Sequence, residues 1–434
     1  MKVEVELISK EIVKPSSPTP NHLRHYQLSF LDQLCPNTYN PLVFFYELNN
    51  HHDIREISNK IKKSLSEVLT LYYPLAGRVK NDRFVDCNDE GVSYTVARVN
   101  STCHLSDAIK NPLPSELSKF LPFELLPTTE FALGVQLNIF EHGGIAIGLC
   151  ISHKLGDALS CVVFAKTWVA VARGEANQLA HPEFVSATLF PFKDDHVFDP
   201  TPMATKKTIT KRFVFDASTI EAIRLDYNCK AHIDDQPKRP SRVEALSAFI
   251  WNRFVAATKD EYLAECERGY TVVHPANLRP RLIPPLPDHS FGNLARCGVV
   301  ILRSGEEKGC EVVKLIREGI RKLDMDYLRK VQQGEDEYMD LLLNYSKEIT
   351  MKGGQYFTLC FTSLCRFPLY DTDFGWGQPT WVSSAALCFG NFVAFMDTKT
   401  GNGIEAYISL KEEQMAKLEA DGDFLKAVSL VAAS

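Results

Sequence analysis

His153 and Asp157, in the run Ile151-Ser-His-Lys-Leu-Gly-Asp-Ala-Leu159, form the pairing in this chain best suited to proton chemistry. An imidazole titrates near neutral pH and can take a proton from an alcohol as that alcohol attacks a carbonyl. The spacing alone proves nothing. Of the 12 histidines only this one has Asp four residues on, and with Asp at roughly one residue in twenty, about one such match is expected by chance. What matters is how the chain would present the pair.

Before the histidine, Ile145, Ile147, Leu149 and Ile151 alternate with Ala146, Gly148, Cys150 and Ser152. That period of two predicts a strand with one bulky apolar face and one small face, the latter leaving room for something to approach the backbone. After it, Asp157, Cys161, Phe164 and Trp168 recur at helical spacing, with Leu159, Val162 and Ala165 beside them. His153 therefore falls at a strand-to-helix junction. Asp157 is expected in the first helical turn, where the helix dipole favours a carboxylate. Cys150 raises the rival of a Cys–His nucleophile, but three residues across a strand end should point the two side chains apart.

Composition narrows the class. With 434 residues, 45% apolar and 24% charged, the chain is an ordinary globular protein of more than one domain. A net charge of −6 argues against nucleic acid, whose phosphates need clustered Lys and Arg. Lys206, Lys207, Lys211 and Arg212 form only a short basic run. The first ten residues lack the apolar core of a signal peptide, and no run of 18 apolar residues suggests a membrane helix. The 12 cysteines include no Cys-x-x-Cys, so they read as reduced residues of a cytosolic protein without a zinc cluster.

A helix is predicted over Asp53–Tyr73, ending at Pro74, with further helices near Ser218–Tyr227, Ser241–Thr258 and Glu306–Lys322. Strands are predicted over Val92–Val99, Leu133–Phe140, Gly144–Ser152, Lys211–Asp216, Tyr270–Asn277, Cys297–Leu302, Tyr356–Thr362, Phe392–Met396 and Gly403–Leu410. The Pro-rich stretch from Asn177 to Thr210 suggests a crossing between domains. Strands and helices mix in both halves, which makes the class α/β or α+β.

Three further stretches come into register with His153 and Asp157: Tyr73-Pro-Leu-Ala-Gly-Arg78, Asn277-Leu-Arg279, and Asp373-Phe-Gly-Trp-Gly377 followed by Gln378-Pro379. In this order and at these distances the chain resembles the plant BAHD acyltransferases, from about Val5 to Ile408. Leu31-Asp-Gln33, Val85-Asp-Cys-Asn88, Lys211-Arg-Phe-Val-Phe-Asp216, Pro284-Pro-Leu286 and Gly403-Ile-Glu405 resemble the alkaloid-acetylating branch. Many members have Gly after the Asp, where this chain has Ala158.

The resemblance implies an α/β fold of two chloramphenicol-acetyltransferase-like domains with a solvent channel between them. The expected bounds are 1–180 for the domain carrying His153, 181–210 for the crossover linker and 211–434 for the domain carrying the Asp373–Gly377 motif. It implies an acyl-CoA-dependent O-acyltransferase, with acetyl-CoA as co-substrate and no bound cofactor or metal. The acceptor would be a hydroxyl of a polycyclic alkaloid or triterpenoid. His153 would be the base, and no acyl-enzyme would form. Asp157 would pair with Arg279 rather than orient the imidazole. Asp373, Gly375, Trp376 and Gly377 would be structural.

Ser241 and Arg242, at a helix start, are candidates for a CoA phosphate, although a plain capped helix explains them equally well. Thr362 and Ser363 are candidates for the acyl or oxyanion pocket. His274 and His289 read as locally bonded residues. The rivals are another acyl donor, malonyl or aromatic, and a non-catalytic ligand-binding relative. Nucleic acid and membrane are not expected partners, and the chain should act as a cytoplasmic monomer.

Overall fold

The computed structural model describes residues 2–48, 53–100, 102–110, 112–126, 130–175, 180–194, 208–228, 239–259, 268–302, 307 and 309–428. The strands, in chain order, are β1 Val5–Val13, β2 His25–Gln27, β3 Tyr39–Tyr46, β4 Arg78–Lys80, β5 Phe84–Asp86, β6 Val92–Val99, β7 Leu133–Phe140 and β8 Ile145–Ser152 in the first half. The second half adds β9 Thr208–Phe215, β10 Arg268–Asn277, β11 Ala295–Leu302, β12 Gln355–Ser363, β13 Trp381–Ser383, β14 Phe392–Asp397 and β15 Ile404–Lys411.

Two mixed six-stranded sheets result, ordered β1-β6-β7-β8-β3-β13 and β11-β10-β12-β14-β15-β9, with a small sheet β2-β5-β4 beside the first. The parallel pairs β6–β7, β10–β12 and β12–β14 need long crossovers. Between β10 and β12 the chain supplies them as the helices Gly309–Arg321, Met325–Gln333 and Glu337–Met351.

The helix predicted over Asp53–Tyr73 forms over Ile54–Leu71, with Asp53 as its N-cap, and buries Ile57, Ile61, Leu65, Val68 and Leu69 as one stripe. It lies against the helix Ala158–Ala172. That second helix is apolar nearly all round, as a helix packed on several sides must be. Their core takes in Phe374, Val382, Met396 and Tyr407 from the second half of the chain. A separate core lies between the second sheet and the helices Arg242–Thr258 and Gly309–Arg321.

The small face of β8 does admit a close approach, and the chain itself makes it. A Cβ on Gly148 would sit 2.0 Å from the Phe120 carbonyl oxygen, and one on Gly134 2.4 Å from the Phe123 ring. The segment Ser118–Phe123 of the same chain fills that space, held where Gln136 donates to the Lys119 carbonyl (2.9 Å) and Asn138 to that of Phe120 (2.9 Å). Asp157 is not in the first helical turn but is its N-cap, accepting from the Ser160 amide at 2.9 Å. The stretch predicted as a crossing is packed where it is described: Phe190 is fully buried, and Glu183 exchanges backbone bonds with His289 and Phe291. Residues 195–207, including Pro200, Pro202, Lys206 and Lys207, lie outside the described residues. Strands β1, β3 and β13, and the helices from Met325 to Met351, were not anticipated. In β13 the second half donates a strand to the first sheet, Trp381 opposite Phe45.

Candidate active site

His153 is the first residue past β8. Its amide donates to the Thr38 carbonyl (2.8 Å) at the start of β3, and its carbonyl accepts from Asn293 Nδ2 (2.7 Å). Asn40 Nδ2 reaches the Gly156 carbonyl at 3.0 Å. The turn is thus pinned on the β3 side and on the side of the loop that follows β10. The imidazole is largely enclosed, and of its two nitrogens only Nδ1 is both buried and without a hydrogen-bond partner. Burial pulls its pKa below the ordinary histidine value. Its own backbone, the Asp157 charge and the Asn293 side chain partly oppose that shift, and the neighbouring Lys154 ammonium adds to it. The imidazole is therefore neutral at neutral pH, as a base must be before it accepts a proton.

Asp157 faces away from this ring. Its Oδ2 accepts from Arg279 (2.8 Å) and from the Leu294 amide (3.0 Å), while Oδ1 accepts from Arg279 (3.2 Å) and the Ser160 amide. Four donors saturate the carboxylate, and among the described residues no hydrogen bond joins it to His153. Arg279 is fully buried. Its guanidinium also donates to the Ser290 carbonyl (2.9 Å), Ser160 Oγ (3.0 Å), Asn277 Oδ1 (3.2 Å) and the Gly292 carbonyl (3.3 Å). Such a forked, fully bonded pair can hold two charges in a dry interior. It ties the His153 turn to the Gly292–Leu294 loop.

Two residues that sequence reasoning missed complete this cluster. Asn293 Nδ2 donates to Asp32 Oδ1 (2.8 Å) as well as to the His153 carbonyl, and its Oδ1 is buried without a partner. Its carboxamide lies close enough to favour the protonated imidazole while falling short of hydrogen-bond geometry. Asp32, buried in a capping box with Ser29, accepts from the Ser29 amide (2.7 Å) and hydroxyl (2.6 Å). An asparagine 140 residues from the histidine carries no spacing signal, so nothing in the pattern of residues could have singled it out.

The remaining candidates are dispersed. Asp373 Oδ1 accepts from the Gly375 and Gly377 amides (2.6 and 2.9 Å), closing a turn in which both glycines have positive φ (103° and 111°). Phe374 inserts against Trp168 (4.9 Å between rings) and stacks on Trp376 (5.1 Å). Lys60 Nζ lies 5.8 Å from the Trp376 ring, and Arg173 donates to the Asp373 carbonyl. The motif clasps the helices of the first half, and among the described residues no hydrogen bond or ring contact joins it to His153. Ser241 caps its helix reciprocally with Glu244. Arg242 is engaged by Asp397 (2.9 Å) and the Gly401 carbonyl (2.7 Å), so a phosphate would have to share it. Thr362 and Ser363 end β12, with Ser363 Oγ accepting from the Cys365 amide at 3.2 Å. Burial pushes the Cys150 thiol far above its usual range, which removes it as a nucleophile. No group of three or more metal-ligating side chains occurs among the described residues.

A strand that ends in a histidine, its turn braced by a buried ion pair between the two halves of the chain, frames the candidate site. Residues 3–425 match the model of a family described as the transferase family. The chain is 35% identical over 431 residues to stemmadenine O-acetyltransferase of Catharanthus roseus, covering 97% of each. It is 36% identical to limonoid 21-O-acetyltransferase of Melia azedarach, over 98% of this chain and 99% of the relative. The crystal structure of vinorine synthase superposes with a TM-score of 0.82 at 33% identity, covering 98% of this chain and 99% of the other. The chain belongs to this family, the plant BAHD acyltransferases, and is an acyltransferase of that type.

Proposed function

We propose that this protein transfers an acetyl group from acetyl-CoA to a hydroxyl of a polycyclic plant metabolite, an alkaloid or a triterpenoid. His153 is the general base. The observation that carries this reading is a largely enclosed, neutral histidine at a strand end, whose backbone carbonyl is held by the Asn293 carboxamide and whose Nε2 is not among the buried, unpartnered atoms. A proton held on Nδ1 leaves the lone pair on Nε2. That lone pair takes the alcohol's proton as the oxygen attacks the thioester carbonyl. The tetrahedral adduct then collapses, the C–S bond breaks, and the CoA thiolate recovers the proton from the imidazolium. The products are the ester and free CoA, and no side chain is acylated.

Names of relatives that acetylate alkaloids and limonoids support the donor and the acceptor class. Asp157 and Arg279 set the turn without touching substrate, and the Asp373–Gly377 run serves as structure. Ser241 and Arg242 stand toward the CoA, and Thr362 and Ser363 toward the acyl or oxyanion pocket. The two acyltransferase domains, 1–180 and 211–434, flank the channel that His153 serves. Among the described residues no disulfide joins the cysteines, which suits a cytosolic protein, and the enzyme works as a monomer.

The test is to incubate the protein with acetyl-CoA and mixed polycyclic alcohols, following CoA release and ester mass. Acetylation that is lost in His153→Gln with the fold intact supports the assignment. Turnover unchanged in His153→Ala would overturn the base, and the absence of any acetyl transfer would overturn the reaction.

A further inference from the structure

The charged side chains buried around the His153 turn are Asp32, Lys154, Asp157, Arg279, Arg296 and Asp336. Asp157 is paired with Arg279. Asp336, which caps the helix Glu337–Met351, is paired with Arg296 of β11 and also accepts from the Tyr327 hydroxyl (2.9 Å). Asp32 accepts from the amide and hydroxyl of Ser29 and from the amide (3.3 Å) and side chain of Asn293. Lys154 is the exception. It is 5% exposed, and its ammonium has three protons to donate. Among the described residues its hydrogen bond is one long contact with the Gln33 carbonyl (3.4 Å), and no carboxylate lies within ion-pair distance. Burying a cation without an anion is costly.

What surrounds the ammonium shows what it can act on. Asp32, Lys154, Asp157 and Arg296 all act on the Cys35 thiol, which puts them in one electrostatic neighbourhood. Burial pushes that thiol up and raises Asp32 as well. Arg296 is already held by Asp336. On the turn itself Lys154 adjoins His153, the group that gains positive charge during the reaction. In a dry setting like charges on adjacent residues repel far more strongly than in water, and the ammonium disfavours the imidazolium. Asp157 pulls the other way, but Arg279 already matches its charge. Resting on the reading of His153 as the base, we propose that Lys154 acts through the imidazole as a positioning charge. It favours the neutral ring before the alcohol attacks. Once Nε2 carries the proton, it drives that proton to the thiolate sulfur of the departing CoA. Lys154 itself touches no reacting atom.

Lys154→Met keeps the unbranched stem and removes the charge, while Lys154→Arg keeps the charge. The deciding readout is an NMR titration of ring-labelled histidines in the full chain, with the His153 signal identified by its loss in His153→Gln. The acid limb of kcat/KM, taken with the alcohol that the acetylation screen yields, is the second. Without the ammonium the imidazolium is less opposed, so both midpoints should move to higher pH in Lys154→Met and stay near the parent's in Lys154→Arg. Should Lys154→Met fail to fold, Lys154→Gln, which can still donate to the Gln33 carbonyl, should move them the same way. A ring midpoint unmoved in the uncharged variants would overturn the inference, even where turnover and melting temperature fall, since the loss of a structural contact alone does that. The base reading fails differently, as turnover that survives His153→Gln, and the ring titration judges Lys154 whatever the rates do.

Discussion

His153 and His274 look alike by the measures used to find catalytic histidines. Both rings are enclosed, burial lowers both pKa values, and each leaves Nδ1 without a partner. Their settings differ. His274 sits inside β10, flanked by β11 on one side and β12 on the other. Its Nε2 is bonded to Ser247 Oγ (3.2 Å) and its ring stacks on Phe361 (5.6 Å). His153 lies one residue beyond the last ladder pair of β8, and among the described residues no hydrogen bond engages its Nε2. Depressed basicity is thus what burial does to any histidine. What suits His153 to the proposed role of base is its place at a strand end, away from a helix hydroxyl such as Ser247 that engages the second nitrogen of His274.

The largest test of this contrast is the pair of glutamine variants. His153→Gln should lower kcat by ~10²–10⁴-fold, the usual contribution of a positioned base, with the melting temperature close to that of the parent. His274→Gln should leave kcat within a few-fold of the parent, because its ring reaches no substrate. Steady-state rates with acetyl-CoA and any accepted alcohol decide it. Comparable losses in both variants would erase the distinction.

The brace beneath the turn comes next. Arg279→Met leaves the Asp157 carboxylate buried without its counter-ion, at a cost of about 3–5 kcal/mol. The variant should unfold at markedly lower denaturant and lose activity in proportion to the folded fraction. Asp157→Ala should behave likewise. A stable Asp157→Ala with parental turnover would show that the turn does not depend on this pair.

The contrast also explains what could be read in advance. The alternation from Ile145 to Ser152 and the helical spacing after Asp157 place His153 at a junction, because burial on one face imposes the period. Those elements are local, and they emerged within a residue or two of their predicted ends. Strand β1 was missed since its faces are both largely exposed, with Leu7, Ile8 and Ile12 all open to solvent. Strand β13 was missed because three residues are too few to carry a period. The small face of β8 was legible as a vacancy, but only the folded chain reveals that Phe120 fills it. Arg279 could be linked to Asp157 only through family resemblance, and Asn293 not at all, since side chains 122 and 140 residues away meet through topology rather than spacing.

Acidification should separate the two histidines by different readouts. With His153 depressed by burial, kcat/KM should fall on the acid side with a midpoint below 6.5, as the base becomes protonated. His274 is lowered to about 4. Between its unfolded value near 6.5 and that folded value, the unfolded chain binds the proton that the folded one refuses, so stability falls as pH drops through this window. The full penalty is about 3 kcal/mol. His274→Gln should be somewhat less stable at pH 7, having lost its place against Ser247, yet lose less stability between pH 6.5 and 4. Urea midpoints across that range measure it, and parallel curves for parent and variant would remove His274 as a source of acid sensitivity.

The smallest effect concerns what holds His153 in place. The Asn293 side chain donates to the His153 carbonyl and to Asp32 and favours the imidazolium. Asn293→Ala should lower kcat by no more than about tenfold, since the backbone bond to Thr38 still anchors the turn and one buried hydrogen bond is worth about 1–3 kcal/mol when broken. The telling readout is the pH profile. With the carboxamide gone the imidazole loses a group that stabilises its charged form, so the acid limb of kcat/KM should move to lower pH. Asn293→Asp places a carboxylate at the same spot, which should stabilise the imidazolium and move the limb upward. A purely structural role would change rate and stability while leaving the limb where it is in both variants, and that result would return Asn293 to the scaffold.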